Sequence, residues 1–246
     1  MLASTSDVCR LCARVRDLTE EHVIPRSAEN KASVQLDTFQ SLADGFRTGT
    51  TLRQGLTRRS LCHRCNNFGN KHYVGPFAQW TRTLLSEHSK LRPGDFPLLA
   101  VTADFLAVSK QIAIMAIAAA ELPSIRWGDY PRLRGFVLNP KATGGLGDFR
   151  LFVYFHFGRA VHEGGFSAID TTGGPTAGIY CQVGRPPLGY VVTFSDQATL
   201  DWAHSRRLCD VTNFAEMQPG QVSTRWLNIP CLNGGLPFRA ISRKTA

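Results

Sequence analysis

Long apolar runs and acidic residues are scarce in this sequence of 246 residues. The most apolar stretch, residues 111–120 (QIAIMAIAAA), is far shorter than the roughly 20 residues that a membrane-spanning helix needs, so we expect no membrane span. The opening residues MLASTSDVCR lack the basic start and apolar run of a signal peptide. Internal repeats and low-complexity tracts are also missing, which indicates an ordinary globular chain.

Negative charge is outweighed by positive charge. Asp and Glu number 19 against 28 Lys and Arg, and the formal net charge is +9. This balance favours polyanionic partners, either nucleic acid or an anionic membrane surface, although many basic proteins bind neither. The basic residues are dense in the first third of the chain, and a solvated surface is the alternative interpretation of them.

Four of the seven cysteines form two Cys-x-x-Cys pairs, Cys9 with Cys12 and Cys62 with Cys65. Without a secretion signal, this spacing indicates metal binding rather than disulfides, and it fits a reducing cytoplasm. Two pairs complete a closed four-sulfur zinc site that stabilises the fold and takes no part in a reaction. Two unrelated redox or buried pairs are the alternative. The remaining cysteines are interpreted as small buried hydrophobic residues: Cys181, Cys209 and Cys231.

The composition of the chain changes after about residue 75. Residues 7–75 are rich in Cys, Arg and Asn, which is typical of a small module held together by metal. A helix is predicted over 76–88, and a Pro- and Gly-containing linker over 89–96. We therefore predict a zinc-stabilised domain over residues 1–90 and a second domain, of unknown role, over 97–246.

The second part of the chain is predicted to be α+β, with a mainly antiparallel sheet packed on one long buried helix. That helix is expected over 102–121, with Thr102 or Asp104 as its cap. A short helix is expected near 196–207, and another around 38–46. The predicted strands cover 133–138, 149–157, 178–183, 190–194 and 222–229.

Two further segments accompany the cysteine pairs. Residues 18–27 (LTEEHVIPRS) lie between the pairs, and residues 66–71 (NNFGNK) directly follow the second pair. In this order and spacing, the segments resemble the HNH endonuclease superfamily, in the subgroup where zinc knuckles clamp a treble-clef-like ββα-metal fold. The resemblance covers about residues 9–75, and the rest of the chain resembles only an uncharacterised extension.

The resemblance implies roles for particular residues. Glu21 matches a ligand of the catalytic divalent ion, His22 the general base, and Asn66 the metal ligand on the helix. Asn70 lies four residues after Asn66, on the same helix face, and is a secondary candidate ligand. Oxygen ligands of this kind suit Mg²⁺ or Mn²⁺, beside the structural Zn²⁺. The implied phosphate contacts are Arg26 and Lys71.

Three features of the sequence limit this interpretation. A regular strand would place Glu21 and His22 on opposite faces, so a bulge or twist is required if both serve one site. Asn66 could instead be a helix cap. The family has an Asn shortly before the second knuckle that orients the base, whereas residues 56–61 (LTRRSL) contain none. A backbone carbonyl or Ser60 would then have to orient His22.

The function that the resemblance implies is metal-dependent hydrolysis of phosphodiester bonds in nucleic acid, with DNA as the expected substrate and phage defence or restriction as the setting. The missing Asn leaves open a catalytically inactive, zinc-stabilised nucleic-acid-binding module. A partner-activated effector is a third interpretation. Besides nucleic acid, the candidate partners are a second copy of the chain and a defence-system protein.

Overall fold

The fold is given by a computed structural model that describes residues 6–30, 33–41, 45–52, 55–119, 131–157, 160–169, 178–194 and 207–232. The helix predicted near 196–207 lies almost entirely outside these residues. The α-helices are α1 (His63–His72), α2 (Val74–His88), α3 (Phe105–Ala119) and α4 (Pro131–Leu138). The strands are β1 (Ser6–Val8), β2 (Val15–His22), β3 (Val34–Ser41), β4 (Gly45–Leu52), β5 (Thr57–Cys62), β6 (Leu98–Asp104), β7 (Phe149–His156), β8 (Ala160–Ile169), β9 (Gly178–Arg185), β10 (Leu188–Phe194), β11 (Cys209–Asp210), β12 (Val222–Asn228) and β13 (Cys231–Leu232).

The first part of the chain forms a small antiparallel sheet that leads directly into a helix. Its strand order is β1-β2-β5, and α1 begins at the residue after β5. The first cysteine pair lies in the connection between β1 and β2, while the second spans the junction of β5 and α1. The strand–strand–helix unit expected from the sequence is therefore present as β2, β5 and α1.

The large sheet has eight strands, seven of them in the order β11-β7-β10-β9-β8-β3-β4. The eighth strand, β13, also pairs with β7. All neighbouring strands of this sheet are antiparallel except the pairs β3–β8 and β13–β7. The helix predicted around 38–46 is wrong, because the described residues of this range belong to β3 and β4, which pair with each other. Both strands are rich in β-branched and aromatic residues, which favour extended structure.

Helix α3 is the centre of the core. All of its 15 residues are buried, and it packs against α2 and against strands of all three sheets, the third of which consists of β6 and β12. The helix begins at Phe105 rather than at 102, since residues 98–104 form β6. The backbone N–H of Ala107 donates to Oδ1 of Asp104 (3.0 Å), so Asp104 is the predicted cap. The α+β class, with a mainly antiparallel sheet on a long buried helix, is confirmed. Among the described helices, none is both long and apolar enough to cross a membrane.

The segment 133–138 is helical, and its prediction as a strand is wrong. It belongs to α4, which begins at Pro131, a residue well suited to the first turn of a helix. The buried side chains Leu133, Phe136 and Val137 follow the i, i+3, i+4 spacing of one helix face. The strands β6 and β8 were not predicted.

Buried contacts cross the linker predicted over 89–96. One hydrophobic cluster extends from Leu11 in the first part, through Trp80, to Phe155 in the large sheet. The hydroxyl of Tyr73 donates to the carbonyl of Val137 (2.6 Å). The division into 1–90 and 97–246 stays a prediction, and the two parts share a core across it.

Lys110 is fully buried within α3. Its Nζ donates to the carbonyl of Asn139 (2.6 Å) and lies 4.6 Å from the centre of the Phe136 ring. Burial lowers the pKa of Lys110 to about 8, with the nearby Asp104 opposing the shift. This lysine therefore carries a proton at neutral pH at a cost to the folded state.

In a Lys110→Met variant, the free energy of unfolding should lose a pH dependence that it has in the unmodified protein. Between pH 8 and the ordinary lysine pKa of about 10.4, the unfolded chain binds more protons than the folded one, so the folded state gains stability as pH rises. The gain is on the order of 3 kcal/mol. Urea unfolding at several pH values would show the difference between the two proteins changing over this window, and parallel curves would contradict it. Lys90→Met, at an exposed lysine, is the control.

Candidate functional site

The four paired cysteines come together in the fold. Their sulfur atoms all lie within 4.8 Å of one another, and the sulfurs of Cys12 and Cys62 are 4.0 Å apart. Tetrahedral zinc with bonds of about 2.3 Å requires sulfur separations of roughly 3.8 Å. Both the donor set and the spacing therefore fit a zinc ion, and four sulfur ligands leave it no open coordination position.

Local backbone structure aims the sulfurs at a common point. The chain turns tightly after Cys9, where Ala13 donates its N–H to the Cys9 carbonyl (2.7 Å) and has a positive φ of 54°. The N–H of Cys62, the N-cap of α1, donates to the Cys9 sulfur (3.3 Å). The hydrogen bond with the Cys65 thiol, together with backbone N–H groups, lowers the pKa of Cys9 to about 4 against the opposing effect of burial. The thiolate form that binds metal is thus favoured at this position.

Two arginines connect the loop of the first cysteine pair, residues 9–12, to helices α3 and α4 of the second part of the chain. Arg134 of α4 donates to the carbonyls of Leu11 (2.9 Å) and Cys12 (3.1 Å). Arg10 donates to the carbonyl of Ala118 near the end of α3 (2.7 Å). The four-cysteine cluster is therefore held from both parts of the chain.

A pocket of about 340 Å³ lies beside the metal centre, between the end of β2, the middle of α1 and α3. Apart from the cysteines, six site residues were predicted from the sequence, and five of them line the pocket: Glu21, His22, Arg26, Asn66 and Asn70. Lys71 is exposed on α1 and does not line the pocket. Helix α3 contributes Gln111, Ile114 and Ala118, which sequence reasoning did not assign to the site.

The end of β2 has the irregularity that the site requires. The register between β2 and β5 shifts between Thr19 and Glu20, directly before the predicted pair. Glu21 and His22 then both line the pocket, although they are neighbours on a strand.

Glu21 is buried, with 4% of its surface exposed. Its carboxylate accepts hydrogen bonds from the Ser60 hydroxyl, the Ser60 N–H (3.2 Å) and the Leu61 N–H (3.4 Å). Burial raises the pKa of Glu21 to about 7, and these hydrogen bonds oppose the shift. Ser60 therefore serves Glu21, and its expected alternative role of orienting His22 is wrong.

The group beside His22 is Asn30. The Asn30 amide nitrogen lies 3.5 Å from Nδ1 of His22 and donates to the carbonyls of Ile24 (2.7 Å) and Leu56 (3.3 Å). Its amide oxygen accepts from the N–H of Leu56 (3.1 Å). Gly55 leaves room for this arrangement, since a Cβ at its position, where φ is +81°, would overlap the Asn30 amide. Asn30 thus links the two ends of the connection between β2 and β5, next to the imidazole of His22.

Sequence reasoning missed Asn30 because it looked for an Asn immediately before the second cysteine pair. Asn30 is 8 residues after His22 and 26 before Leu56, so only the fold brings these groups together. Gly55 gave a weak signal, because a glycine near the end of a long connection is typical of a backbone position where another group approaches closely.

An Asn30→Ala variant should be destabilised by about 3 kcal/mol, because buried backbone groups of Ile24 and Leu56 would be left without partners. Urea unfolding would measure this change. Asn67→Ala, at an exposed position on α1, should stay within about 0.5 kcal/mol of the unmodified protein. A loss below about 1 kcal/mol in Asn30→Ala would show that the connection does not depend on this amide.

His22 is half-buried, and its pKa is lowered by burial and by the nearby Arg26. The neutral imidazole that results is the form that can accept a proton. Asn66 and Asn70 lie one turn apart on α1, with their amides 3.4 Å from each other. The N-cap of α1 is Cys62, so the alternative role of Asn66 as a helix cap is wrong. The pocket therefore combines a carboxyl group, a neutral imidazole and two carboxamides.

Comparison of the chain with family models, curated proteins and solved structures finds no match. The four-cysteine cluster does not select a family either, since unrelated folds use such clusters as structural zinc sites. The residues of the pocket are therefore the evidence for its function.

Proposed function

We propose that this protein is a metal-dependent endonuclease of the HNH type, which hydrolyses phosphodiester bonds in nucleic acid, with DNA as the expected substrate. The observation that carries the proposal is the pocket itself. A strand end supplies Glu21 and His22, and a helix fastened to the same four-cysteine centre supplies Asn66 and Asn70. The excess of positive charge agrees with a polyanionic substrate. A role in phage defence or restriction is part of the proposal and is supported only by the sequence resemblance.

In this proposal His22 is the general base. Its neutral ring takes a proton from a water molecule as the water oxygen attacks phosphorus. The bond from phosphorus to the ester oxygen on the far side breaks, and that oxygen takes up a proton from solvent. Asn30 restricts the ring from the side of the protein core. Arg26, exposed at the pocket rim, compensates the charge of the phosphate, and Lys71 extends this contact along α1.

The pocket also offers oxygen donors for a hard divalent cation, in the Glu21 carboxylate and the carboxamides of Asn66 and Asn70. Mg²⁺ or Mn²⁺ held there would stabilise the negative charge that develops on the phosphate and the leaving oxygen. A cation at this position would also favour the ionised form of Glu21.

Purified protein should cut supercoiled plasmid DNA in Mg²⁺ or Mn²⁺ and leave it intact in EDTA. Single-stranded DNA and RNA, assayed in parallel, define the substrate. Zinc must be quantified after the EDTA treatment, so that loss of the loosely held ion is distinguished from loss of the structural one. The proposal is contradicted if folded, zinc-loaded protein leaves every substrate intact with every metal.

A second candidate is a zinc-stabilised module that binds nucleic acid without cutting it. The observation that favours it is the engagement of Glu21, whose carboxylate already accepts three hydrogen bonds from Ser60 and Leu61. This candidate predicts nucleic-acid binding that is unchanged by EDTA under conditions that retain zinc, and no cleavage. The plasmid assay combined with a binding measurement separates the two.

A further inference from the structure

A second cleft lies next to the four-cysteine centre, and the proposed chemistry does not use it. Its volume is about 710 Å³, and Cys65 lines both this cleft and the smaller pocket. Four arginines line it, and Asp17 is the only acidic residue among the described lining residues. We call it the arginine cleft; its arginines are Arg14, Arg16, Arg64 and Arg134.

Neutralisation of the metal centre does not account for all of this charge. A zinc ion with four thiolates carries a net charge of about −2, and Asp17 adds one negative charge. Arg134 is already engaged with the carbonyls of the first knuckle. The other three arginines are exposed. With all four arginines counted the cleft keeps a net charge of about +1, and three of its guanidinium groups are exposed to a ligand.

We propose that the arginine cleft binds backbone phosphates of the same nucleic acid whose scissile phosphate occupies the smaller pocket. This inference rests on the proposed function. Guanidinium groups match phosphate oxygens in bidentate geometry, and three of them at one cleft suit a chain of phosphates better than a single small anion. Phe68, half-buried in the cleft wall, offers an apolar surface to a sugar or base.

The distance between the arginine cleft and His22 indicates how far from the scissile phosphate the bound phosphates lie. Strand β2 carries Arg16 near its start and His22 at its end. Six residues of strand at about 3.3 Å each separate them by roughly 20 Å. Duplex DNA advances about 3.4 Å per base pair, so for a duplex that runs along β2 this separation corresponds to about six base pairs. The cleft should therefore act on long substrates and be without effect on a small phosphodiester.

The test replaces Arg14, Arg16 and Arg64 together by Gln, leaving Arg134 in place because it anchors the knuckle. Binding to a duplex of about 30 base pairs is measured over a range of salt concentrations, with His22→Ala added to every protein to prevent cleavage. The slope of log K against log salt is negative, and its magnitude should decrease by two to three, at about 0.9 for each phosphate that the protein no longer neutralises. A triple Arg→Lys variant should retain most of the slope.

The matched control removes the same charge elsewhere, at exposed residues outside the cleft: Arg82→Gln, Arg92→Gln and Lys141→Gln. Its slope should change by less than about one. Zinc content and thermal melting verify that each variant is folded. A cleft variant that is folded and has the slope of the control overturns the inference, and so does one that loses binding to anionic lipid vesicles but not to DNA.

Cleavage assays, with His22 restored, test whether the effect of the cleft depends on the length of the substrate. In the triple Gln variant, kcat/KM for the duplex should fall by about tenfold or more, whereas kcat/KM for bis(p-nitrophenyl) phosphate should stay within about twofold. Equal losses on both substrates would overturn the inference. If the unmodified protein binds DNA through the cleft but cuts nothing, phosphate binding by the cleft holds, whereas the endonuclease proposal fails and with it the placement of a scissile phosphate in the smaller pocket. If the unmodified protein cuts DNA but the triple Gln variant has an unchanged salt slope, the endonuclease proposal holds and the inference about the arginine cleft fails.

Discussion

Replacing Cys62 by Ala should unfold the first part of the chain. Cys62 supplies one of four sulfurs to the metal centre and is also the N-cap of α1. Structural zinc in small modules contributes roughly 10–16 kcal/mol of binding free energy, which becomes folding free energy. Loss of one ligand should therefore lower the free energy of unfolding by more than about 4 kcal/mol and abolish stoichiometric zinc. Urea unfolding and metal analysis by mass spectrometry measure both effects.

The effect should reach the pocket and the second part of the chain as well. Without zinc, α1 loses its attachment to the first knuckle, and the bonds from Arg134 and Arg10 no longer join ordered partners. Cys209→Ala, at a buried cysteine outside the cluster, is the matched control. It should retain zinc and cost about 1–2 kcal/mol. If Cys62→Ala melts like this control and keeps its zinc, the cysteines do not form a structural metal site.

The parts of the fold that the sequence predicted well are those specified by local patterns. The run of apolar residues in α3 can only be a buried helix, and two-residue spacers between cysteines have few other uses. Segment 133–138 was mistaken because a short mixture of apolar and basic residues fits a strand as well as a helix. Here Pro131, two residues earlier, decides for the helix.

Long-range pairings lay beyond the reach of sequence patterns. Strand β3 pairs in parallel with β8, whose residues follow it by more than a hundred positions, and no local signal specifies that partner. The same limit applies to the site. Glu21, His22, Asn66 and Asn70 could be predicted to share a pocket because the resemblance implies that the strand after the first cysteine pair lies beside the helix after the second. Asn30 and Gln111 could not, since only tertiary packing brings them to the pocket.

The pocket is not a property of the first part alone. Its wall includes Gln111, Ile114 and Ala118 of α3, and Gly69 of α1 lies where an added Cβ would come within 3.1 Å of Ile114. A glycine at this position lets α1 approach α3 closely. A fragment that ends near residue 90 would therefore lack one wall of the proposed active site, which gives the second part a structural role in the chemistry.

His22→Ala should reduce cleavage of plasmid DNA by a factor of about 10² to 10⁴, the range that removal of a general base produces. Among the described residues that line the pocket, His22 is the only imidazole, so no second histidine there can replace it. Its side chain is half-buried and makes no contribution to the cysteine cluster. We therefore expect the variant to keep its zinc, its melting temperature within a few degrees, and its affinity for DNA.

The matched control is His72→Ala. His72 lies on α1 and contacts Phe68 with 4.7 Å between ring centres and the rings tilted by 47°. It lines neither the pocket nor the arginine cleft. It should leave the cleavage rate within about threefold of the unmodified protein. Imidazole added to His22→Ala can occupy the space of the deleted ring and should restore part of the activity, whereas it should not affect His72→Ala. Full activity in a folded His22→Ala variant would show that the proton is taken elsewhere and that His22 is not the general base.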